Sequence, residues 1–192
     1  MTDAPGDLSD ELLAARAAGG NRAAFDSLMR RYKAPLYRFI RRYVGEPDDA
    51  YDLLQDSFIS AWSALHRYDP QRPFSPWLRR IALNKCRDFG RRQTVRRALL
   101  RLLALGANEP APSEFDAVEE ELEASARLAR LDKAIAGLPA LYKEPLLLTT
   151  VEGLSHEDTA KILNTTPKAI EMRLYRARRR LSVIMGDAET DE

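Results

Sequence analysis

The sequence predicts an all-α protein, built as two small helical domains joined by a flexible acidic linker. Three observations predict it. Leu, Ala, Arg and Glu dominate a chain of 192 residues in which Gly numbers only 9 and Pro 11, a composition that favours helix over strand. Apolar residues recur at helical spacing through every long segment, and no stretch of any length alternates in the manner of a strand. Near the middle, GANEPAPSEFD (residues 106–116) combines Gly, two Pro and acids in a run that cannot build a core. With 45% hydrophobic and 31% charged residues, the rest of the chain is expected to fold.

The elements follow in order. Residues 1–21 form an N-terminal segment with a short helix near 8–18. Residues 23–44 carry Phe25, Leu28, Tyr32, Leu36, Phe39, Ile40 and Tyr43 on one broad stripe, and Pro35 within it predicts a kink or a break near Ala34. Gly45 and Pro47 end that helix, and Asp48 is the candidate N-cap of the next. The next helix, DDAYDLLQDSFISAWSALHRY, should bury Tyr51, Leu54, Phe58, Ala61, Trp62 and Leu65. YDPQRPFSP marks a loop. A third helix should run from about Pro76, a residue suited to a first turn, through Arg92. Residues 94–105, basic and Leu-rich, either extend it or form a helix of their own. Beyond Val118, breaks at Gly137-Leu138-Pro139, at Gly153 and at Asn164-Thr165-Thr166-Pro167 predict about four more helices. The predicted boundaries are thus 22–93 for the first domain, 94–126 for the linker, 127–184 for the second domain and 185–192 for an acidic tail.

A net charge of +1 conceals strong segregation of sign. Residues 72–101 carry Arg72, Arg79, Arg80, Lys85, Arg87, Arg91, Arg92, Arg96, Arg97 and Arg101 against one acid, Asp88. Residues 168–180 are also basic, opposed only by Glu171, whereas residues 109–123 hold seven acids and no base. Two basic patches divided by an acidic spacer suggest a polyanion gripped at two places. No apolar run approaches the roughly 18–20 residues of a membrane span, and MTDAPGDLSDELL lacks the features of a secretory signal. The expectation is a cytoplasmic protein without membrane insertion.

The second basic patch lies in VEGLSHEDTAKILNTTPKAIEMRLYRARRRL. Ser155 with Asp158 resembles a capping box, Asn164 tolerates the left-handed turn conformation, and Thr166 can cap a helix whose first residue is Pro167. Ile170, Leu174, Ala177 and Leu181 should face the core. Lys168, Glu171, Met172, Tyr175, Arg176 and Arg179 remain on or beside the outward face. A helix, a short turn and a basic second helix make a helix-turn-helix, whose second helix enters the major groove of DNA. On the third helix of the first domain, Trp77, Arg80, Asn84, Arg87 and Arg91 cluster on one face at about 100° per residue, and Lys85 sits on the neighbouring one with Leu78, Ala82 and Phe89. An aromatic, an amide and guanidiniums suit single-stranded DNA through stacking, base-edge hydrogen bonds and phosphate contacts. Packing into the core is the competing role for Trp77.

The helix before it has the opposite chemistry. Asp48, Asp49, Asp52, Gln55 and Asp56 lie away from its buried stripe and read as a protein-binding acidic face. Metal chemistry there lacks a Glu-x-x-His partner, and the two histidines, His66 and His156, lie far apart in sequence. No catalytic residue, metal or cofactor is therefore expected, and the single cysteine, Cys86, is expected to pack as a small apolar side chain.

DLLQDSFISAW followed by RYDPQRPFSPWLRRIALNKCRDFGRR resembles the second region of bacterial sigma factors. LPALYKEPLLLTTVEGLSHEDTAKILNTTPKAIEMRLYRARRRL resembles their fourth region. The order and the acidic linker are similar to the extracytoplasmic-function (ECF) group of the sigma-70 superfamily, over about residues 23–181. The resemblance implies a subunit that binds core RNA polymerase and directs it to promoters. By position, Asp52, Gln55 and Asp56, with Asp49 beside them, match the contact with the clamp helices of the largest polymerase subunit. The loop at 68–75 and the following helix match the element that opens the −10 sequence. Arg72, Trp77, Arg80, Asn84, Lys85, Arg87 and Arg91 are the residues assigned to it, Asn84 at a base-contacting position. Lys168, Glu171, Met172, Arg173, Tyr175, Arg176 and Arg179 fall on the −35 reading helix. An anti-sigma protein is a further partner known for many relatives. Lys168 and Glu171 depart from the common pattern, which has Gly and a basic residue there. Glu favours the cytosine N4 donor where Arg and Lys favour guanine, so a family −35 consensus does not transfer. The alternatives are a helix-turn-helix regulator that never joins the polymerase, which leaves the acidic face unused, and a nuclease-type enzyme, for which no acid–base pair is assembled.

Overall fold

A computed structural model describes residues 8–103 and 121–186, and every element among them is helical. The elements are α1 (Asp10–Ala18), α2 (Arg22–Val44), α3 (Pro47–Ala64), a 3₁₀ turn (Leu65–Arg67), α4 (Phe74–Leu103), α5 (Glu121–Gly137), α6 (Ala140–Thr150), α7 (His156–Leu163) and α8 (Pro167–Met185). Of the linker predicted at 94–126, residues 94–103 continue α4 and residues 121–126 open α5, while its middle, with GANEPAPSEFD, and the tail beyond Gly186 lie outside the described residues.

In the first half, α2 packs on α1, α3 and α4. Ser9 caps α1 by accepting from the Leu12 amide at 3.2 Å, and Asn21 caps α2 by accepting from Ala24 at 3.1 Å. Leu28, Leu36, Phe39 and Ile40 of α2 are fully buried with Ala50 and Ala61 of α3 and Leu78, Ala82, Leu83 and Cys86 of α4. In the second half, α6, α7 and α8 pack around Leu147, Leu148, Ile170 and Ala177. Helix α2 also packs against α5 and α6, so the buried side chains of both halves form one continuous cluster.

Three local expectations are corrected, and one left open is decided. Helix α2 runs through Pro35 without a break. Losing one backbone hydrogen bond to proline costs about 3 kcal/mol, and the burial of Leu36, Phe39, Ile40 and Tyr43 just beyond it outweighs that. Glu46, not Asp48, occupies the cap position of α3, because Pro47 takes the first helical position, where its missing N–H is not needed. Helix α4 starts at Phe74, close to the expected Pro76, and runs unbroken to Leu103, so the basic Leu-rich stretch extends it. Phe74 is anchored in the core, Pro76 falls within the first turn, and QTVRRALLRLL has no residue that stops a helix. Tyr51 and Trp62, expected in the core, are 49% and 37% exposed. Each lies one residue, or about 100°, round from Ala50 and Ala61 at the centre of the stripe, which puts both rings at its rim.

Gly45 ends α2 with φ at +94°, a conformation that L side chains adopt only with strain. A Cβ there would also stand 3.1 Å from that of Ala136 in α5. The two halves meet closely at this point.

Candidate nucleic-acid interface and partner face

The second-half motif folds as its sequence predicts. Ser155 accepts from the Asp158 amide at 3.0 Å while its hydroxyl donates to the Asp158 carboxylate at 2.8 Å, and the bonds to Ser155 and Lys161 hold that carboxyl below its usual range. Asn164 takes the left-handed conformation at φ +51°. Thr166 accepts from Ala169 at 3.2 Å, and Pro167 opens α8. Ile170, Leu174 and Ala177 are buried and Leu181 is half-buried. That leaves Lys168, Glu171, Met172, Tyr175, Arg176 and Arg179 exposed along one long face, with Tyr175 62% exposed. Arg173 is half-buried at the edge of the cleft between the halves. Lys168 Nζ reaches Glu171 Oε2 at 2.8 Å. An exposed pair of this spacing is worth a few tenths of a kcal/mol, so it ties the two departures from the family pattern to each other at little cost to DNA that would separate them.

In the first half the loop before α4 is pinned by aromatic packing. The Tyr68, Phe74 and Trp77 rings lie with centroids 5.1–5.5 Å apart, and the Tyr68 hydroxyl donates to the Arg72 carbonyl. Burial pushes the Tyr68 phenol up to about 12. Trp77 is thus half-buried and holds the loop onto α4, while the Arg72 side chain is exposed, 3.3 Å from Asp69. Asn84 is exposed on the middle of α4. Arg91 pairs with Asp88 one turn earlier, which holds the Asp88 carboxyl below its usual range.

The other arginines of that face are engaged across the seam. Arg87 donates twice to Glu144 of α6, at 2.7 and 2.5 Å, and this bond raises the guanidinium above its ordinary value. Arg80 donates to the Lys161 carbonyl of α7 at 3.2 Å. Arg79, in the basic run but on no predicted face, pairs with the buried Glu152 after α6. A cleft of about 1040 Å³ opens beside these contacts and brings Arg87, Arg91 and Arg173 to one wall system with Tyr43 and Glu144.

Sequence reasoning missed Lys143, Glu144 and Glu152. Lys143 is only 7% exposed, donates to the carbonyls of Tyr43 (2.9 Å) and Ala136 (2.5 Å), and lies over the Tyr43 ring. Burial lowers its ammonium to about 8. The available signal was a Lys-Glu pair set among apolar residues in ALYKEPLLLTT, since such charges stay inside only when paired.

On α3, Asp52, Gln55 and Asp56 are exposed and Asp49 is half-buried. Asp49, Asp52 and Asp56 line a crevice of about 210 Å³ whose other wall is Lys85, Asp88 and Arg92 of α4. Gln55 stands at the edge of an apolar groove of about 660 Å³ formed by Phe25, Met29, Tyr51, Phe58, Ile59 and Trp62. Among the described residues, no three His, Cys, Asp or Glu side chains converge as metal ligands, and no helix is long and apolar enough to cross a membrane. Cys86 is fully buried, and burial pushes its thiol up to about 12, the state of an inert packed cysteine.

Residues 28–96 match the family described as Sigma-70 region 2, and residues 128–181 match Sigma-70, region 4. The chain is 37% identical over 187 residues to RNA polymerase sigma factor CnrH of Cupriavidus metallidurans, spanning 96% of this chain and 97% of that one. It is 31% identical over 182 residues to the ECF RNA polymerase sigma factor SigM of Mycobacterium tuberculosis, spanning 94% and 86%. Among solved structures, CnrH in complex with the cytosolic domain of CnrY superposes with a TM-score of 0.70 at 33% identity, over 94% of this chain and 99% of that chain. Sigma factor RpoE of Bartonella quintana, solved with the anti-sigma factor NepR, shares the fold with a TM-score of 0.63 at 22% identity, over 86% and 98%. Two matched regions in their expected order, with relatives of 37% and 31% identity over nearly the whole chain, place this chain in the sigma-70 family of RNA polymerase sigma factors, in its ECF group.

Proposed function

We propose that the chain binds core RNA polymerase through α3, reads a −10 element with the loop before α4 and α4 itself, reads a −35 element with α8, and so initiates transcription of a specific set of genes. The observation that carries this reading is the α3 face. Exposed Gln55 lines a groove floored by Phe58 and rimmed by Tyr51, Ile59 and Trp62, and exposed Asp52 and Asp56 line the neighbouring crevice on the same helix. An exposed apolar patch with a charged rim is what a protein partner covers, and a regulator that binds only DNA leaves it unused.

Two DNA faces of different chemistry support the division of labour. The α8 face is long, convex and basic, the form that enters a major groove. The α4 face offers Asn84 with Arg80, Arg87 and Arg91, groups that contact bases and backbone of a strand already unpaired. In this role the chain performs no catalysis of its own and needs no cofactor. It acts in the cytoplasm, where the polymerase is, and a protein of the anti-sigma class is proposed as its partner, because CnrH was solved with the cytosolic domain of CnrY.

The test is reconstitution. Purified chain added to core polymerase should co-migrate with it and give run-off transcripts from promoters selected out of a random library. Retention of duplex binding without polymerase association would establish the regulator instead.

A further inference from the structure

Helix α1 precedes residues 28–96, the stretch that matches Sigma-70 region 2, yet two of its side chains reach the base of the loop before α4. That loop is an arch. Residues 69–73 are exposed and stand between Tyr68 and Phe74, both buried, whose rings lie 5.5 Å apart. The second foot of the arch is the start of α4, and the sequence gives it no cap of its own. A helix leaves its first N–H groups without partners inside the helix. Here Pro76 in the first turn has no N–H, and Pro73, just before the helix, has neither an N–H nor a side-chain oxygen. The Phe74 amide instead donates to the Glu11 carboxylate of α1 at 3.3 Å. Asp10, the residue before it, accepts from the Tyr32 hydroxyl and pairs with Arg31 at 2.6 Å. The Tyr32 ring packs edge-on against Phe74, with centroids 5.6 Å apart. Burial and then the bond to Asp10 push the Tyr32 phenol up to about 12, so it remains a donor at neutral pH. Both acids thus converge on Phe74, one through its amide and the other through the ring beside it.

We propose that α1 is a positioning element of the −10 reader: Glu11 caps α4 from outside, Asp10 fixes Tyr32 against Phe74, and together they hold the arch at 69–73 in the shape that takes an unpaired strand. The proposal rests on the functional reading above for the role of that loop. Acids beneath a nucleic-acid face are otherwise a cost, because they repel the phosphates that the arginines attract. The dipole of α1 favours acids in its first turn, but side chains turned to solvent would satisfy it, whereas Asp10 and Glu11 are both half-buried. A rival role for Glu11 has the opposite sign. A helix start with free amides is an anion site, and a carboxylate there would be a stand-in that a DNA phosphate must displace. Losing a support weakens strand capture, and losing a competitor strengthens it. Burial favours the support. Phe74 is 1% exposed, which keeps its amide out of reach of a phosphate while the arch is formed.

The experiment uses holoenzyme reconstituted from core polymerase and the full chain, on a promoter selected with the wild-type chain. Permanganate reactivity of unpaired thymines reads opening, and a mobility shift at a temperature too low for opening reads the closed complex. Glu11→Ala removes the acceptor, and Glu11→Gln keeps an oxygen in its place. Losing a cap of this kind shifts a local equilibrium about fivefold, and apparent affinity falls with the competent fraction. The opening equilibrium of Glu11→Ala should therefore fall about fivefold, with the closed complex unchanged, and Glu11→Gln should recover part of the loss. A cap that serves only the stability of the fold would lower the melting temperature and leave opening alone. Wild-type opening by Glu11→Ala, folded at the assay temperature by circular dichroism, thus overturns the proposal, and so does a loss that Glu11→Gln fails to recover. Increased opening overturns it too, in favour of the competing anion. Should Glu11→Ala fold poorly, Tyr32→Phe decides: it keeps the ring on Phe74, gives up the bond to Asp10 and should also lower opening, and wild-type opening there refutes the positioning role. A wild-type holoenzyme that opens no selected promoter strikes the functional reading, and this proposal with it; variants that match a working wild type strike the positioning role alone.

Discussion

Lys143 is buried against Tyr43 of α2, near Cys86 of α4 and its own neighbour Glu144, and these groups set how stability varies with pH. Burial holds the Lys143 ammonium at about 8 against an ordinary 10.5. Between those values the unfolded chain binds more protons than the folded one, so stability rises with pH over that window. Cys86 runs the other way. Its thiol is raised from 9.0 to about 12, the unfolded chain loses that proton first, and stability falls as pH climbs above 9. Tyr43, raised above its ordinary 10.0 chiefly by burial, adds to that fall from about pH 10. The cluster is therefore expected to add about 1 kcal/mol of stability between pH 8 and 9 and to lose ground beyond it. Urea unfolding of wild type and Lys143→Met across this range checks it: the difference between their stabilities should grow by that amount from pH 8 to 9, and a constant difference refutes the assignment. The charged pair was visible in ALYKEPLLLTT, but its partners were not, because Tyr43 and Arg87 lie 101 and 57 residues from Glu144 in the chain. Local pattern carries no information about pairing at that distance.

At the level of elements, legibility followed the range of the forces. The α7–turn–α8 unit was readable to the residue because Ser155, Asn164 and Thr166 act within one turn of themselves. The uninterrupted course of α2 was not, since Pro35 signals a local preference that burial of Phe39 and Ile40 overrides. Tyr51 and Trp62 were misplaced for a related reason: an aromatic at the rim of a stripe has the same spacing as one at its centre, and only the neighbouring helix decides which is covered. The end of α2 yields a sharp test. Gly45→Ala forces a side chain into the left-handed region at a close approach of the halves, and should cost about 1–2 kcal/mol. Pairing it with Ala136→Gly should recover the contact part and leave the backbone part. Equal stability of wild type and Gly45→Ala by thermal unfolding would mean that the junction is looser than its 3.1 Å approach implies.

For the whole molecule, family and fold class were legible because two motifs stood in order, whereas the closed packing of the halves depends on ion pairs that no single segment encodes. The polymerase face belongs to this scale. Asp52→Ala with Gln55→Ala should weaken binding to core polymerase by roughly 1–3 kcal/mol while leaving the fold intact, since both side chains are exposed and the buried stripe of α3 is complete without them. Anisotropy titration against core polymerase, with circular dichroism on the variant, measures both, and an undiminished affinity would remove these residues from the contact. The aromatic packing described for the first half has a further consequence, for how the molecule can be watched. Of the two tryptophans, Trp62 lies 5.0 Å from the Phe25 ring and Trp77 sits between Tyr68 and Phe74, so the chain's indole emission comes entirely from one half. Far-ultraviolet ellipticity sums over both. If the seam makes the halves a single cooperative unit, the two signals superimpose through a urea titration. In Glu144→Gln with Glu152→Gln they should separate, the ellipticity changing over a range of urea in which the indoles report nothing.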